Sequence, residues 1–160
     1  MAGQRIGILH PGQMGIVVAV SAQNSGNEVF WVSENRGSAT WERASQAGLH
    51  DAGTPAKLCE LCPVIVSVCP PEFAEEIAEQ VARHSYQGTY VDANAISPDR
   101  TRRIAQLLNE QGARFVDGGI FRVLAHDARI WLLDLFRRPT EQFGLSYQMD
   151  NRRRGTKATP

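Results

Sequence analysis

Three groups of residues in this chain have types and spacings that could do chemistry. The first is the run His10-Pro11-Gly12-Gln13-Met14-Gly15, which follows one apolar stretch and opens another with helical spacing. A glycine at position 12 lets backbone come close to an anion, and one at position 15 lets a helix pack tightly on a strand. A helix starting there turns unpaired N–H groups and a partial positive charge toward a phosphate. Against the dinucleotide-binding pattern G-x-G-x-x-G, Gly12 and Gly15 fill the second and third positions and His10 stands in the first. The plain alternative is a tight turn with no ligand.

The second group is Ser33-Glu34-Asn35-Arg36, after the β-branched and aromatic run at 28–33. Domains that bind NAD place Asp or Glu at such a strand end, where it bonds the ribose 2′-hydroxyl. A serine with a nearby arginine instead suits a 2′-phosphate, through a hydroxyl and a charge-assisted fork. The expected cofactor is therefore NADP. Glu34 is the complication, because its carboxylate turned to the ribose would favour NAD. On the bland reading, Arg36 and Arg43 are solvated surface charges.

The third group, Cys59-x-x-Cys62, has the spacing of a metal or redox pair. Zinc needs four ligands and no second pair follows, so core packing is the expectation and no metal is assigned. His84 closes an amphipathic helix, where a cation suits the helix dipole. No Ser/His/Asp arrangement can be assembled.

These residues sit at the ends of recurring elements. Apolar runs at 5–9, 28–33, 49–51, 64–69, 89–92 and 114–117 read as strands. Helices are expected at about 14–25, 38–47, 55–61, 72–84 and 99–111, punctuated by Gly26, Gly48, Pro63 and Pro98. Continuously apolar strands alternating with helices indicate a parallel sheet covered on both faces. The expected fold is α/β, a doubly wound parallel sheet (Rossmann fold) of strand order 3-2-1-4-5-6, with ligands at the carboxyl ends of the strands.

Composition narrows the class. A chain of 160 residues with 42% hydrophobic and 21% charged content is that of a soluble globular domain, and no apolar run is long enough to span a bilayer. An immediate strand and glycine loop at the start leave no room for a signal peptide, so three reduced cysteines in the cytoplasm are expected. The zero net charge hides an asymmetry. Residues 1–120 carry 9 basic against 13 acidic side chains, whereas residues 121–160 carry 8 against 4. The organisation expected is a nucleotide-binding domain over 1–120 and an atypical basic tail over 121–160. The tail is read as one helix at about 125–138, stopped by Pro139, and a disordered end with Arg152–Arg154.

The blocks IGILHPGQMG, VSENRGSATWERA, SVCPPEFAEEIA and VDANAISPDRTRRIA, with a weaker FVDGGI, occur in order over residues 5–120. In them the chain resembles the N-terminal domain of the 6-phosphogluconate dehydrogenase/β-hydroxyacid dehydrogenase superfamily, in the branch whose first loop reads HPGxMG. The resemblance implies that Leu9, His10, Pro11, Gly12, Gln13 and Met14 wrap a pyrophosphate, with Gly15 closing the loop. It implies that Ser33, Asn35 and Arg36 meet the adenosine phosphate. Val68, Cys69 and Pro70 would lie along the nicotinamide ribose, and Phe73 beside the adenine. Asn94 stands where the dehydrogenases have a serine near substrate and nicotinamide; the alternative is an Asn that caps the following loop.

The same resemblance implies a second, all-helical domain bearing a catalytic lysine in a pattern like G-x-G-x-x-x-K-x-x-N. This chain has only Lys57 and Lys157, and neither lies in that pattern. No catalytic residue is therefore assigned. The expectation is the NADP-binding domain of a hydroxyacid-dehydrogenase-like oxidoreductase, truncated, its tail after residue 120 a frameshift, a splice variant or genuine, with a small hydroxy or keto acid as substrate and a homo-oligomer as assembly. Two alternatives stand beside it: a non-catalytic NADP-binding or regulatory module, and an interaction protein using the basic tail. Three adjacent arginines give little affinity for nucleic acid.

Overall fold

A computed structural model of the chain describes residues 3–122 and 130–134. Six parallel strands form one sheet: β1 (Arg5–Ile8), β2 (Glu28–Trp31), β3 (His50–Asp51), β4 (Val64–Ser67), β5 (Thr89–Asp92) and β6 (Arg114–Arg122). Their order is β3-β2-β1-β4-β5-β6, as expected, with β1 hydrogen-bonded to β2 on one side and β4 on the other. The chain leaves β1 in opposite directions on its two flanks, so the switch point lies at the carboxyl end of β1, where ligands bind in such sheets.

Helices α1 (Gln13–Asn24) and α2 (Ser38–Gln46) cover one face, where Ile8, Val18, Ala19, Trp31, Ala44 and Val66 form one core. The helices α3 (Pro55–Leu61), α4 (Ala74–Ala82) and α5 (Pro98–Glu110) cover the other, around Leu58, Ile65, Ile77, Val81, Tyr90, Ile104 and Leu108. Neither face of the central strands meets water, which is why their sequences lack alternation.

Local chemistry sets the element ends. After α1, Gly26 takes φ +85° and its N–H donates to the Gln23 carbonyl at 2.8 Å, a turn glycine adopts without a Cβ penalty. Asn27 then donates from Nδ2 to the Ala22 carbonyl and accepts the Gln4 N–H on Oδ1, tying the helix end to the start of β1. Thr54 caps α3 by accepting the Lys57 N–H at 3.2 Å, with Pro55 in the first turn. Tyr86, nearly buried, donates its hydroxyl to the Cys62 carbonyl at 2.9 Å and anchors the entry to β4.

One expectation about the tail is corrected. Residues Ile130–Asp134, in the middle of the expected helix, form a strand, β7, antiparallel to β6 with Ile120 opposite Leu132. β6 itself runs to Arg122, past the expected boundary at 120. An apolar run that includes Ile130 and Trp131 meets the open edge of β6, and pairing there satisfies edge backbone groups that a helix, bonded within itself, would leave unpaired. The remainder of the tail, with its expected disordered end, lies outside the described residues. Among the described residues, no helix is long and apolar enough to cross a membrane.

Candidate functional site

At the carboxyl ends of β1, β2 and β4 the structure opens a cleft of about 270 Å³. This falls just under the roughly 300–1,000 Å³ of pockets that enclose a whole drug-sized ligand, so it suits part of a larger one. His10, Asn35, Arg36, Cys69, Pro70 and Phe73 line it together, six residues singled out from sequence on three separate loops.

The loop after β2 aims Arg36. Its start is pinned by two bonds to one carbonyl, the Ser33 and Glu34 N–H groups donating to Gly53 at 3.1 and 2.9 Å. Asn35 then takes φ +58°, a left-handed conformation that Asn tolerates better than other side-chain-bearing residues. The Arg36 N–H closes the turn on the Ser33 carbonyl at 3.2 Å. The reversal carries the guanidinium over the end of β1, where Nη2 donates to the Leu9 carbonyl at 3.3 Å and Nη1 meets the His10 ring at Nε2. Arg36 makes no ion pair among the described residues; burial pulls its pKa down and the nearby Glu34 carboxylate opposes that.

His10 takes its state from this contact. A guanidinium has donors only, so Nε2 must accept and the ring proton sits on Nδ1. Nδ1 is buried with no partner among the described residues. Burial, and next the Arg36 charge, push the imidazole down to about 4, so it is neutral at pH 7.

Arg43, on α2, also serves this loop: its Nε donates to the Pro11 carbonyl at 3.3 Å and its Nη2 to the Thr40 hydroxyl at 3.4 Å. Two arginines from beyond β2 thus hold successive parts of the β1–α1 loop. The two glycines differ in what holds them. A Cβ at Gly15 would lie 2.0 Å from the His10 carbonyl oxygen, so only glycine lets α1 start so close to β1. A Cβ at Gly12 would meet nothing within 4 Å among the described residues, and φ there is an ordinary −67°. Among the described residues, Gly12 leaves open space at the start of α1, whose first turn has no side-chain cap. Free N–H groups facing open space suit an anion.

Asn94 is turned inward. Its Oδ1 accepts the Cys69 N–H at 2.7 Å, its Nδ2 donates to the Ser67 hydroxyl at 3.1 Å, and its own N–H donates to Asp92 Oδ1 at 2.9 Å. It is 9% exposed and does not line the cleft. Asp92, buried and level with Asp117 of β6, has its carboxyl pushed up to about 6, chiefly by burial. Burial likewise raises Cys69 to about 11, so its thiol stays protonated at neutral pH.

Other expected residues take supporting places. Leu9 and Pro11 are buried beneath the loop, Gln13 and Met14 are exposed on the first turn of α1, and Val68 packs partly against the α1-side core. Ser33 is half-buried and reaches the site through its backbone. Sequence reasoning missed Val32, Pro55, Glu76, Ile77 and Gln80 as lining residues. The spacing Phe73, Ile77, Gln80, with Glu76 between, marks one helical face and could have revealed the α4 wall. Cys59 and Cys62 are free thiols raised to about 11 and 12, each mainly by burial, and Cys62 packs in the core.

The comparisons agree with this fold. The family model described as the NAD binding domain of 6-phosphogluconate dehydrogenase matches residues 5–122. No curated protein matches the chain. Among solved structures, the conserved protein MTH1747 of unknown function, described as structurally similar to 3-hydroxyacid dehydrogenases, superposes with TM-score 0.71 at 29% identity, over 80% of this chain and 48% of that one. An imine reductase variant from Myxococcus stipitatus in complex with NAD+ gives 0.64 at 20%, over 74% and 41%. A reductive aminase from Aspergillus terreus in complex with NADPH4 gives 0.62 at 24%, over 74% and 42%. This chain therefore spans under half the length of those structures, and the latter two show the fold alone. From the match over residues 5–122, the chain belongs to the family of 6-phosphogluconate dehydrogenase NAD-binding domains.

Proposed function

We propose that this domain binds NADP(H) in preference to NAD(H), as the cofactor half of a hydroxyacid-dehydrogenase-like oxidoreductase. One observation carries the preference: among the described residues the Arg36 guanidinium has hydrogen bonds to neutral groups, the His10 ring and the Leu9 carbonyl, and no ion pair, although the Glu34 carboxylate is near enough to act on it. Its charge is thus left for an anion, and a ribose 2′-phosphate is the anion such a cofactor brings to the end of β2. The open space over Gly12 would take the pyrophosphate, and Phe73, 48% exposed, offers a ring face to the adenine. Cys69 and Pro70 would border the nicotinamide ribose.

A non-catalytic nucleotide-binding module is the second reading, and the position of Lys57 favours it. Lys57 is ion-paired to Glu60 at 2.7 Å on α3 and does not line the cleft, so no described lysine stands ready to exchange a proton there. Both readings suit a reducing, cytoplasmic setting, given the free thiols. A small hydroxy or keto acid remains the substrate class the first reading implies.

Calorimetric titration of the purified chain with NADPH and NADH tests the assignment. NADPH should bind more tightly, and Arg36→Ala should weaken it about tenfold or more, since a charge-assisted hydrogen bond contributes about 1.5–3 kcal/mol. NADH affinity should hardly change. Equal losses for both cofactors would remove Arg36 from the 2′-phosphate site. Steady-state oxidation of NADPH with a panel of keto acids separates the two readings.

A further inference from the structure

We infer that His10 determines cofactor specificity at one remove, by offering its Nε2 lone pair to Arg36 and so holding the guanidinium free for the 2′-phosphate. The inference rests on the proposed NADP preference. Residue 10 occupies the first position of the glycine fingerprint, where a glycine would have no side chain to offer. Here the imidazole stands 26 residues from Arg36 in sequence and against it in space.

The reason Arg36 needs a holder is Glu34. Two residues earlier on the same turn, Glu34 also lines the cleft, and its charge acts on the guanidinium. An arginine on a long flexible side chain would swing to that carboxylate if nothing else bound it. The pair would cancel the charge that the 2′-phosphate requires, and would leave the exit of β2 looking as it does in domains that accept a 2′-hydroxyl. His10 prevents this with a neutral acceptor. Being neutral, it holds Arg36 without consuming its charge, and the Leu9 carbonyl at 3.3 Å does the same from the adjacent residue. The guanidinium keeps further N–H groups beyond these two bonds, since it carries five. His10 is thus a positioning residue, acting on the cofactor through Arg36.

The test uses the full chain with NADPH, NADH and 2′,5′-ADP as titrants. His10→Leu, which keeps bulk and removes the acceptor, should weaken NADPH about fivefold more than NADH and 2′,5′-ADP by a similar factor, the scale of one neutral-acceptor hydrogen bond. His10→Gln, which keeps an acceptor oxygen, should retain most of the preference. In an Arg36→Ala background, His10→Leu should cost NADPH no further preference over NADH, because the two residues act as one unit. If His10→Leu loses its circular dichroism spectrum, His10→Gly, which needs no space, takes its place in the series. Equal weakening of NADPH and NADH, no weakening at all, or a full additional loss in the Arg36→Ala background would each overturn the inference. A selective loss in Arg36→Ala beside an unselective His10→Leu overturns it alone; no selective loss in Arg36→Ala overturns the NADP reading as well.

Discussion

The side-chain oxygen of Asn94, just past β5, accepts the backbone N–H of Cys69, just past β4, at 2.7 Å. The same carboxamide donates to Ser67 on β4, so one residue ties the exits of two neighbouring strands. That places Asn94 beneath the wall of the cleft, where it shapes the path of Cys69-Pro70.

Replacing it should therefore loosen one end of the site only. Asn94→Ala leaves the Cys69 N–H and the buried Ser67 hydroxyl short of a partner, which should cost about 1–3 kcal/mol of stability. Affinity for NADPH should fall severalfold, while 2′,5′-ADP, which lacks the nicotinamide half, should bind as before. Thermal unfolding and paired titrations measure the two effects. An equal fall for both ligands would show that Asn94 supports the whole cleft.

The two loop glycines should fail in opposite ways. Gly12→Val places a side chain in open space, so circular dichroism and melting temperature should stay close to wild type while binding of NADPH and NADH is lost. Gly15→Ala drives a Cβ into the His10 carbonyl, and the overpacking should destabilise the fold by roughly 1–3 kcal/mol, with the loop displaced. Normal NADPH binding by Gly12→Val would make the loop a simple turn.

Stability should depend on pH through two opposed groups. Asp92 has a folded value of about 6, above the ordinary carboxyl range, so from about pH 4 to 6 the folded state keeps a proton that the unfolded chain has released. Its contribution is favourable below that window and declines as pH rises through it, by at most about 3 kcal/mol. His10 runs the other way. Held near 4, it lacks a proton that the unfolded chain carries between about pH 4 and 6.5, so its contribution grows with pH there and is lost in acid. Asp92→Asn keeps an oxygen for the Asn94 N–H and removes the charge. It should raise the melting temperature by several degrees at pH 7.5 and by about a third as much at pH 4.5. The same shift at both pH values would mean that Asp92 does not titrate as its burial implies.

Much of this architecture was legible because it is written in short range. The glycine loop, the turn at Gly26-Asn27, the proline-led starts of α3 and α5 and the unbroken apolar strands each depend on neighbours a few residues away. Right-handed crossovers then leave few ways to order the strands. What Arg36 touches could not be read this way: its partners are 26 and 27 residues distant and become neighbours only when β2 pairs with β1. Arg43, a solvated charge on the bland reading, likewise becomes a tether for Pro11 across 32 residues. Asn94 could face a ligand or the interior, and the register that puts Ser67 opposite Asp92 decided for the interior. The stretch Ile130–Asp134 has apolar residues that serve either a helix or a strand, and the choice fell to the unpaired edge of β6. Local propensity settles where elements begin and end; the side chains that make the site answer to whichever strand the sheet sets beside them.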